Sequence, residues 1–344
     1  VKAMSVVEKA IAITERAPLP DVVTRAGIHY LVDRTRRQLA RQDDDATADF
    51  ARAMATFPIA LATEEANEQH YEIPSRFFEL ILGKRRKYSC GYYASPGITL
   101  DEAEDAALAL TAGHADIQDD QDILELGCGW GSLTLWMAQK HPSSRITAVS
   151  NSRSQRDYIL SQAHALGLEN ITVVTADMND FNADAKYDRV VSVEMFEHIA
   201  NWHNLIVKVR SWLKPDSRFF MHVFSHKSAP YRFDHADKTD WIAQHFFTGG
   251  VMPSHKLIHQ FNDLVEVEQE WRWSGDHYEK TARHWLENFD RNSAEIDQIL
   301  KSVYGAEAAL WKRRWRLFFL ATMGLFGHNG GSEWGISHYR MRPI

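Results

Sequence analysis

The sequence predicts an α/β fold in which a mostly parallel sheet is covered by helices on both faces. From about residue 121 to residue 223, short apolar strands alternate with helical segments, the pattern that parallel sheets require. The apolar stretch 123–126 runs into three closely spaced glycines, Gly127, Gly129 and Gly131, and a helical pattern begins at once. This combination of strand, tight turn and helix start predicts the first unit of the sheet.

The remaining elements follow from hydrophobic periodicity and from turn residues. Helical spacing predicts helices at residues 4–17, 20–42, 46–62 and 75–82, ahead of the sheet. In the alternating region the predicted strands are 123–126, 145–149, 171–175, 189–193 and 219–223, and the predicted helices are 132–140, 152–166 and 203–212. A polar insertion rich in His and Phe follows at 225–253, then a strand at 264–273, helices at about 280–300 and 306–326, and a last strand at 336–341.

Composition limits the classes of function. The 344 residues carry a formal net charge of −7, which argues against broad nucleic-acid binding, because proteins that track phosphates are usually basic. No apolar run approaches about 18 residues and no signal-peptide pattern is visible, so we expect neither a membrane span nor export. Cys90 and Cys128 lie in predicted turns, which makes a structural disulfide unexpected. We therefore predict a cytoplasmic protein without membrane contact.

The glycine turn carries an acidic residue at the end of its strand. The spacing Glu125-x-Gly127-x-Gly129-x-Gly131 differs from the G-x-G-x-x-G of dinucleotide-binding folds, which disfavours a nicotinamide-dependent oxidoreductase. A carboxylate at this place faces a cation rather than a pyrophosphate. S-adenosylmethionine (SAM), with its ammonium and sulfonium charges, is the natural candidate, and the stretch resembles the first motif of class I methyltransferases. Glu125 and the backbone at Gly127 and Gly129 would receive the methionine part of SAM.

Two further strand ends carry groups suited to the rest of such a cofactor, because ligands bind over the carboxyl ends of the strands. Ser150, Asn151 and Gln155 follow the second strand as neutral hydrogen-bonding groups. Asp177 and Met178 follow the third strand. The carboxylate would bind the adenine amino group, and the apolar side chain would pack on the adenine face.

The fourth strand end carries the densest cluster of titratable groups. Glu194, Glu197 and His198 stand where the transferred methyl group is expected. Two acids and a histidine at an apolar strand end are unfavourable unless they are used, so we assign catalytic roles to all three. A surface or capping role is the alternative for each carboxylate.

Several motifs together resemble one family. Tyr88-Ser-Cys-Gly-Tyr92, Thr99-Leu-Asp-Glu-Ala103, ELGCGWGSL, SNSRSQ and MFEH are similar to motifs of the cyclopropane-fatty-acid synthase family and of its offshoot, the coclaurine-type N-methyltransferases. The resemblance covers about residues 68–344. It implies a SAM-dependent methyltransferase with the Rossmann-like class I methyltransferase fold, that is, a seven-stranded sheet with an N-terminal helical segment and an inserted helical cap.

The resemblance also implies a division of the chain. Residues 1–115 would be an N-terminal helical segment that closes over the cofactor, and residues 116–225 the SAM-binding core. Residues 226–305 would form the cap that binds substrate, together with one strand. Residues 306–344 would supply the C-terminal helix and the last strand of the core.

Site residues outside the strand ends follow from the resemblance as well. Tyr88 and Ser89 resemble the pair that closes over SAM, and Ser150 and Gln155 resemble contacts of its ribose. In the cyclopropane synthases a bicarbonate base is held at the positions that correspond to Cys90, Glu197, His222 and Tyr278, and an aliphatic residue stands at the position of Phe224. Features that resemble the N-methyltransferases are the acid at Glu194, where cyclopropane enzymes usually have glycine, and the substrate-side residues Tyr71, Glu72, Phe326 and Trp334.

The two chemistries need different sites. An alkyl amine with a pKa of roughly 10 is mostly protonated at neutral pH, so carboxylates must attract it and a base must take its proton. An alkene needs an apolar tunnel, in which the charge of Glu194 would be unfavourable. We therefore predict N-methylation of a small amine, with cyclic and aromatic amines as candidates. The alternatives are cyclopropane formation or C-methylation on unsaturated fatty acyl phospholipids, with bicarbonate as the base, and a catalytically silent SAM-binding protein.

The predictions for a metal site and for the oligomeric state are less specific. His255 and His259 have the i, i+4 spacing of paired metal ligands, but no third ligand with matching spacing is evident, so no metal is expected. The oligomeric state is open from sequence, a homodimer being one option.

Overall fold

The computed structural model describes residues 5–17, 19–43, 45–61 and 73–344 of the protein. The helices are α1 (Val6–Arg16), α2 (Asp21–Leu39), α3 (Ala46–Met54), α4 (Ser75–Ile81), α5 (Leu100–His114), α6 (Ser132–Lys140), α7 (Arg153–Leu166), α8 (Trp202–Trp212), α9 (Trp241–His245), α10 (Asp276–Arg291), α11 (Ser293–Tyr304) and α12 (Ala308–Phe326). The strands are β1 (Asp122–Leu126), β2 (Arg145–Ser150), β3 (Ile171–Thr175), β4 (Tyr187–Val193), β5 (Leu213–His226), β6 (Tyr231–Arg232), β7 (Val251–Met252), β8 (Val265–Ser274) and β9 (Trp334–Pro343).

Seven strands form one mixed sheet in the order β3-β2-β1-β4-β5-β9-β8. The first five strands are parallel neighbours, and β9 runs antiparallel between β5 and β8. The strand order reverses between β1 and β4, which is where open sheets of this kind bind ligands at the carboxyl ends of their strands. The predicted seven-stranded, Rossmann-like α/β fold is confirmed.

The segments around the sheet differ in detail from the sequence prediction. Residues 100–114 form α5, which sequence analysis did not assign as a helix, although Thr99 and Glu102 form a capping box at its start. The insertion between β5 and β8 is mostly non-helical, with the short helix α9, the β6–β7 pair and a 3₁₀ turn at Leu257–Phe261. The helices of the predicted cap, α10 and α11, come after β8 and meet at Asn292, where one helix was expected.

The N-terminal helices pack on the C-terminal half of the chain. Arg316 of α12 pairs with Asp21 of α2 at 2.5 Å and with Asp290 of α10 at 2.9 Å. Glu15 of α1 accepts hydrogen bonds from Trp241 at 2.9 Å and from Arg314 at 3.0 Å. These contacts tie α1 and α2 to the insertion and to α12.

No helix in the described part of the chain has the length and apolar character needed to cross a bilayer.

Candidate active site

A cavity of about 150 Å³ lies at the carboxyl ends of β1, β2 and β4, beside the reversal of strand order. The predicted site residues that line it are Tyr88, Ser89, Glu125, Gly127, Gly129, Ser150, Asn151, Gln155, Met178, Glu194 and His198. One cavity therefore joins most of the predicted cofactor contacts to two of the predicted catalytic residues.

The glycine turn lets the backbone form part of the cavity wall. Gly127 has a φ of 76°, and a Cβ atom there would lie 2.5 Å from the Cγ atom of Met195. Gly129 has a φ of 52°, and among the described residues no atom beyond its chain neighbours lies within 4 Å of the point where its Cβ would stand. A positive φ is strained for residues other than glycine. The turn thus keeps free the space that a ligand needs at the end of β1.

Glu125 is buried at the carboxyl end of β1. Its Oε2 accepts a hydrogen bond from the Thr134 hydroxyl at 2.5 Å. Burial raises the pKa of Glu125 to about 8, because the apolar surroundings penalise the charged form. A cation in the cavity would favour the ionised form, so this carboxyl fits the ammonium group of SAM.

The turn after β2 presents neutral hydrogen-bonding groups. The Ser150 hydroxyl donates to Gln155 Oε1 at 2.6 Å and accepts from the Ser152 N–H at 3.0 Å. Gln155 Nε2 is buried and has no hydrogen-bond partner among the described residues. A buried donor without an acceptor is costly, so a ligand oxygen that accepts from it would stabilise the site. The pattern fits the predicted ribose contacts.

Asp177 lies beside the cavity but not in its wall. Its neighbours Ala176 and Met178 line the cavity, whereas its own Oδ1 accepts from the N–H of Asn179 at 2.7 Å. The carboxylate thus stabilises the turn after β3. The geometry gives no support to the predicted adenine contact of Asp177, and Met178 remains as the predicted apolar contact.

The carboxylate of Glu194 is bound from three directions. Its Oε1 accepts from the Cys90 N–H at 2.9 Å and lies 3.1 Å from His222 Nε2, and its Oε2 accepts from the Tyr278 hydroxyl at 2.6 Å. Glu194 has a φ of 47°, a conformation that costs a non-glycine residue about 1–3 kcal/mol. Burial raises the pKa of Glu194, and nearby Lys87 opposes that effect. The contacts hold a strained residue at one end of the cavity.

Glu197 and His198 occupy different positions. His198 lines the cavity and stacks on Phe247 with ring centroids 4.3 Å apart. Glu197 lies behind the wall, fully buried, and its Oε1 accepts from the Phe224 N–H at 2.6 Å. Burial and the charge of Glu194 raise the pKa of Glu197 well above its ordinary value, which favours the protonated acid. The catalytic assignment of all three residues remains a prediction.

A cluster of buried aromatic rings adjoins Glu194 through Tyr278, outside the described cavity wall. Phe326 stacks on Tyr278 with centroids 4.4 Å apart, and Phe224 lies 6.0 Å from Phe326. Trp334, also predicted to bind substrate, is instead buried at the start of β9, with its ring 5.1 Å from that of His226. The part of the cavity wall that the structure describes contains none of the predicted substrate residues Cys90, His222, Phe224, Tyr278, Phe326 and Trp334.

The predicted substrate residues Tyr71 and Glu72 lie outside the described residues.

Lys87 is a further residue of the site that was not predicted from the sequence. This lysine lines the cavity, yet it is only 2% exposed, and its Nζ donates to Ser89 Oγ at 2.6 Å and to Cys90 O at 2.7 Å. Burial lowers its pKa, and the carboxylate of Glu194 opposes that effect. Lys87 therefore fixes the segment whose Cys90 N–H binds Glu194. Its place immediately before the Tyr88-Ser-Cys motif was the only signal in the sequence.

The two spaced histidines share one carboxylate. His255 Nε2 lies 3.6 Å from Glu270 Oε1, and His259 Nε2 lies 2.9 Å from Glu270 Oε2. No group of three or more potential metal-binding His, Cys, Asp or Glu side chains is present in the described ranges.

The sequence matches the family model described as mycolic acid cyclopropane synthetase over residues 61–329. The (S)-coclaurine N-methyltransferase of Thalictrum flavum subsp. glaucum is 38% identical over 285 residues, which cover 81% of this chain and 79% of that protein. Pavine N-methyltransferase of the same plant is 34% identical over 292 residues, which cover 84% of this chain and 82% of that protein. The cyclopropane-fatty-acyl-phospholipid synthase of Escherichia coli (strain K12) is 29% identical, over 64% of this chain and 56% of that protein.

A solved structure agrees with these relatives. The crystal structure of a coclaurine N-methyltransferase bound to N-methylheliamine and S-adenosylhomocysteine (SAH) has a TM-score of 0.94 and 32% identity, covering 98% of this chain and 100% of that chain. The fold described above is thus shared with a solved N-methyltransferase. The chain belongs to the mycolic acid cyclopropane synthetase family and is a SAM-dependent methyltransferase with the class I fold.

Proposed function

We propose that this enzyme transfers the methyl group of SAM to the nitrogen of a small amine that carries a cyclic or aromatic group. The observation that carries the proposal is the fixed carboxylate of Glu194 at one end of the cavity. An ammonium group is attracted to such a carboxylate, whereas an alkene gains nothing from it.

The partners of Glu194 also weigh against the cyclopropane alternative. Cys90, His222 and Tyr278 stand where, by resemblance, cyclopropane synthases hold a bicarbonate. Here the Cys90 N–H and the Tyr278 hydroxyl donate to Glu194, and His222 Nε2 lies 3.1 Å from it. A bicarbonate would lack these donors and would face the charge of Glu194. The arrangement supports a site in which the chain supplies its own carboxylate.

The cavity fits SAM, which supplies an electrophilic methyl group on a sulfonium when bound. Glu125 would hold the ammonium of the methionine part, and the open space beside Gly129 would admit that part of the cofactor. Gln155 has an unpartnered buried amide nitrogen that would bind a ribose oxygen. Tyr88 and Ser89, which line the same cavity, would close over the cofactor.

The amine must lose a proton before its nitrogen can attack. Glu194, which lines the cavity, would attract the ammonium. Glu194 or His198, which both line the cavity, would accept the proton. Holding the deprotonated nitrogen close to the methyl group then lowers the entropic part of the barrier.

The relatives support this substrate class. The similar proteins of known activity are named for coclaurine and pavine, and the solved neighbour binds N-methylheliamine. We extend only the common chemistry, methylation of an amine nitrogen, to this chain. We also retain the prediction of a cytoplasmic enzyme, which the two unpaired, buried cysteines support.

SAH release from SAM tests the proposal against two panels. One panel holds primary to tertiary amines, including cyclic and aromatic ones, and the other holds vesicles of unsaturated phospholipid with and without bicarbonate. We expect turnover with amines alone, unaffected by removal of bicarbonate. Turnover with vesicles alone, lost when bicarbonate is removed, would overturn the proposal and would assign Cys90, Glu197, His222 and Tyr278 to a bicarbonate site.

A further inference from the structure

Glu194 is one end of a hydrogen-bonded chain of three histidines. His222 Nε2 lies 3.1 Å from Glu194 Oε1, and His222 Nδ1 lies 2.8 Å from His338 Nε2. His338 Nδ1 in turn lies 2.8 Å from His114 Nδ1. Each of the two inner rings uses both nitrogens, so the chain is continuous from the active-site carboxylate to His114.

The sheet explains why these residues meet. His222 on β5 is paired in register with His338 on β9, and His338 is paired with Trp271 on β8. Residues paired directly across neighbouring strands present their side chains on one face. His114, the last residue of α5, lies against that face and stacks on the Trp271 ring, with centroids 3.9 Å apart and planes within 4°. The chain therefore crosses two strands, β5 and β9, and ends at the half-buried ring of His114.

Burying the imidazole rings of this chain costs free energy of folding, and a function of the rings would account for that cost. His222 and His338 are both 0% exposed. Burial lowers the pKa of both rings well below the ordinary value, which keeps them neutral. A neutral imidazole has one donor and one acceptor nitrogen, so it can receive a proton on one side and release one on the other.

We propose that His222, His338 and His114 form a proton path through which Glu194 exchanges its proton with solvent while ligands fill the cavity. The proposal rests on the proposed amine methylation, which needs a carboxylate whose charge changes in a closed site. Without such a path, a ligand that fills the cavity would also block the direct route of protons to Glu194.

The proton balance is simple. When Glu194 is protonated, Oε1–H gives its proton to His222 Nε2 while His222 Nδ1–H passes its proton to His338 Nε2. His338 Nδ1–H then protonates His114 Nδ1, and His114 releases the proton on Nε2 to water. One proton leaves, no bond other than N–H and O–H bonds changes, and each ring ends as the other neutral tautomer. The reverse sequence returns a proton to Glu194 when a cationic ligand leaves, and it restores the first set of tautomers.

Among the described residues, few charged groups act on this path from the elements packed around it. Burial and Arg340 of β9 lower the pKa of His114 to about 4, so this ring is also neutral at physiological pH. Lys87 is the cation that acts on both His222 and His338. At the other end, Lys87 and His198 favour the ionised form of Glu194.

The direct test follows the protonation of Glu194 without any amine. The enzyme is saturated with SAH, the pH is dropped from about 9 to about 6 in a stopped-flow cell, and the infrared carboxyl band of Glu194 is recorded. The band is identified by its loss in Glu194→Gln. We expect the carboxyl band to appear at least about tenfold more slowly in His114→Ala, because proton transfer by a positioned group accelerates a reaction by that factor or more. Free imidazole should restore the rate. A purely structural role of His114 predicts no rescue by imidazole.

His141→Ala is the matched control, because His141 is a half-buried histidine outside the path. The carboxyl band should appear in His141→Ala at the wild-type rate. In His338→Gln it should appear as slowly as in His114→Ala, and free imidazole should not restore the rate, because His338 is inaccessible to solvent. An unchanged rate in both path variants would overturn the proposal. Failure of the wild type to methylate any amine would overturn the proposed function instead, since the infrared measurement contains no acceptor.

Discussion

The two ends of the cavity are built on different principles. The cofactor end comes from residues close in sequence, such as Glu125, Gly127 and Gln155, and it leaves polar groups for the ligand to satisfy. The acceptor end brings Glu194 together with distant segments of the chain, and there the protein itself binds the carboxylate. The polar groups at the cofactor end therefore gain their partners only when a ligand binds, whereas the carboxylate at the acceptor end already has its partners in the protein. Changes at the cofactor end should therefore weaken binding, and changes at the acceptor end should slow turnover.

The largest effect is expected for Glu194→Gln. Glutamine keeps the size of the side chain but removes the charge that attracts and deprotonates an ammonium. We expect kcat for amine methylation to fall about 10²–10⁴-fold, while the Kd for SAM changes less than about twofold. Single-turnover SAH formation and calorimetric titration with SAM measure the two quantities. Parallel losses of SAM binding and turnover would show that the two ends are not separable.

Gly127→Ala should show the opposite pattern. The added Cβ would lie 2.5 Å from Met195 Cγ, on a backbone with a φ of 76°, so the turn must shift. A cost of about 1–3 kcal/mol in the binding geometry corresponds to about a 5- to 150-fold rise in the Kd for SAM. Gly97→Ala is the matched control, because Gly97 has a φ of 85° but no atom within 4 Å of the added Cβ. Equal effects of the two variants on SAM binding would contradict the role of the turn.

The same contrast explains how much was predictable. The cofactor end could be identified because the spacing from Glu125 through the glycines is a local pattern with a physical meaning. The acceptor end could not be derived from spacing. The resemblance grouped Cys90 and Tyr278 with Glu197 and His222, whereas the contacts of Cys90 and Tyr278 with Glu194 form only in the folded chain. Lys87 was missed because nothing in sequence marks a lysine as buried. The substrate contact of Trp334 stays a prediction, because glycine-rich flanks do not reveal which side of a strand is packed.

Glu125 gives the cofactor end a pH signature. Burial raises its pKa from an ordinary value of 4.5 to about 8, so the folded state holds a proton that the unfolded state has lost. Stability from this group is therefore unaffected below about pH 4.5, falls as the pH rises from about 4.5 to 8, and is constant above that. We expect Glu125→Gln to raise the melting temperature of the ligand-free enzyme at pH 8 by at least about 2 °C and to change it little at pH 4.5.

Thermal unfolding in buffers across this range measures the difference from wild type, which isolates Glu125 from the other buried acids. A difference that grows towards acid pH would mean that Glu125 is ionised and paired in the folded protein.

The smallest effect is expected at Asp177, where geometry and the sequence prediction disagree. Its Oδ1 accepts from the Asn179 N–H, and the residue lies outside the cavity wall, so Asp177→Asn keeps an acceptor for that bond and removes only a charge. We expect the Kd for SAM to change less than about twofold, or under about 0.4 kcal/mol. Met178→Ala, one position along and inside the wall, is the comparison and should weaken SAM binding more. A tenfold loss in Asp177→Asn would restore the adenine contact and would mean that the turn after β3 rearranges when the cofactor binds.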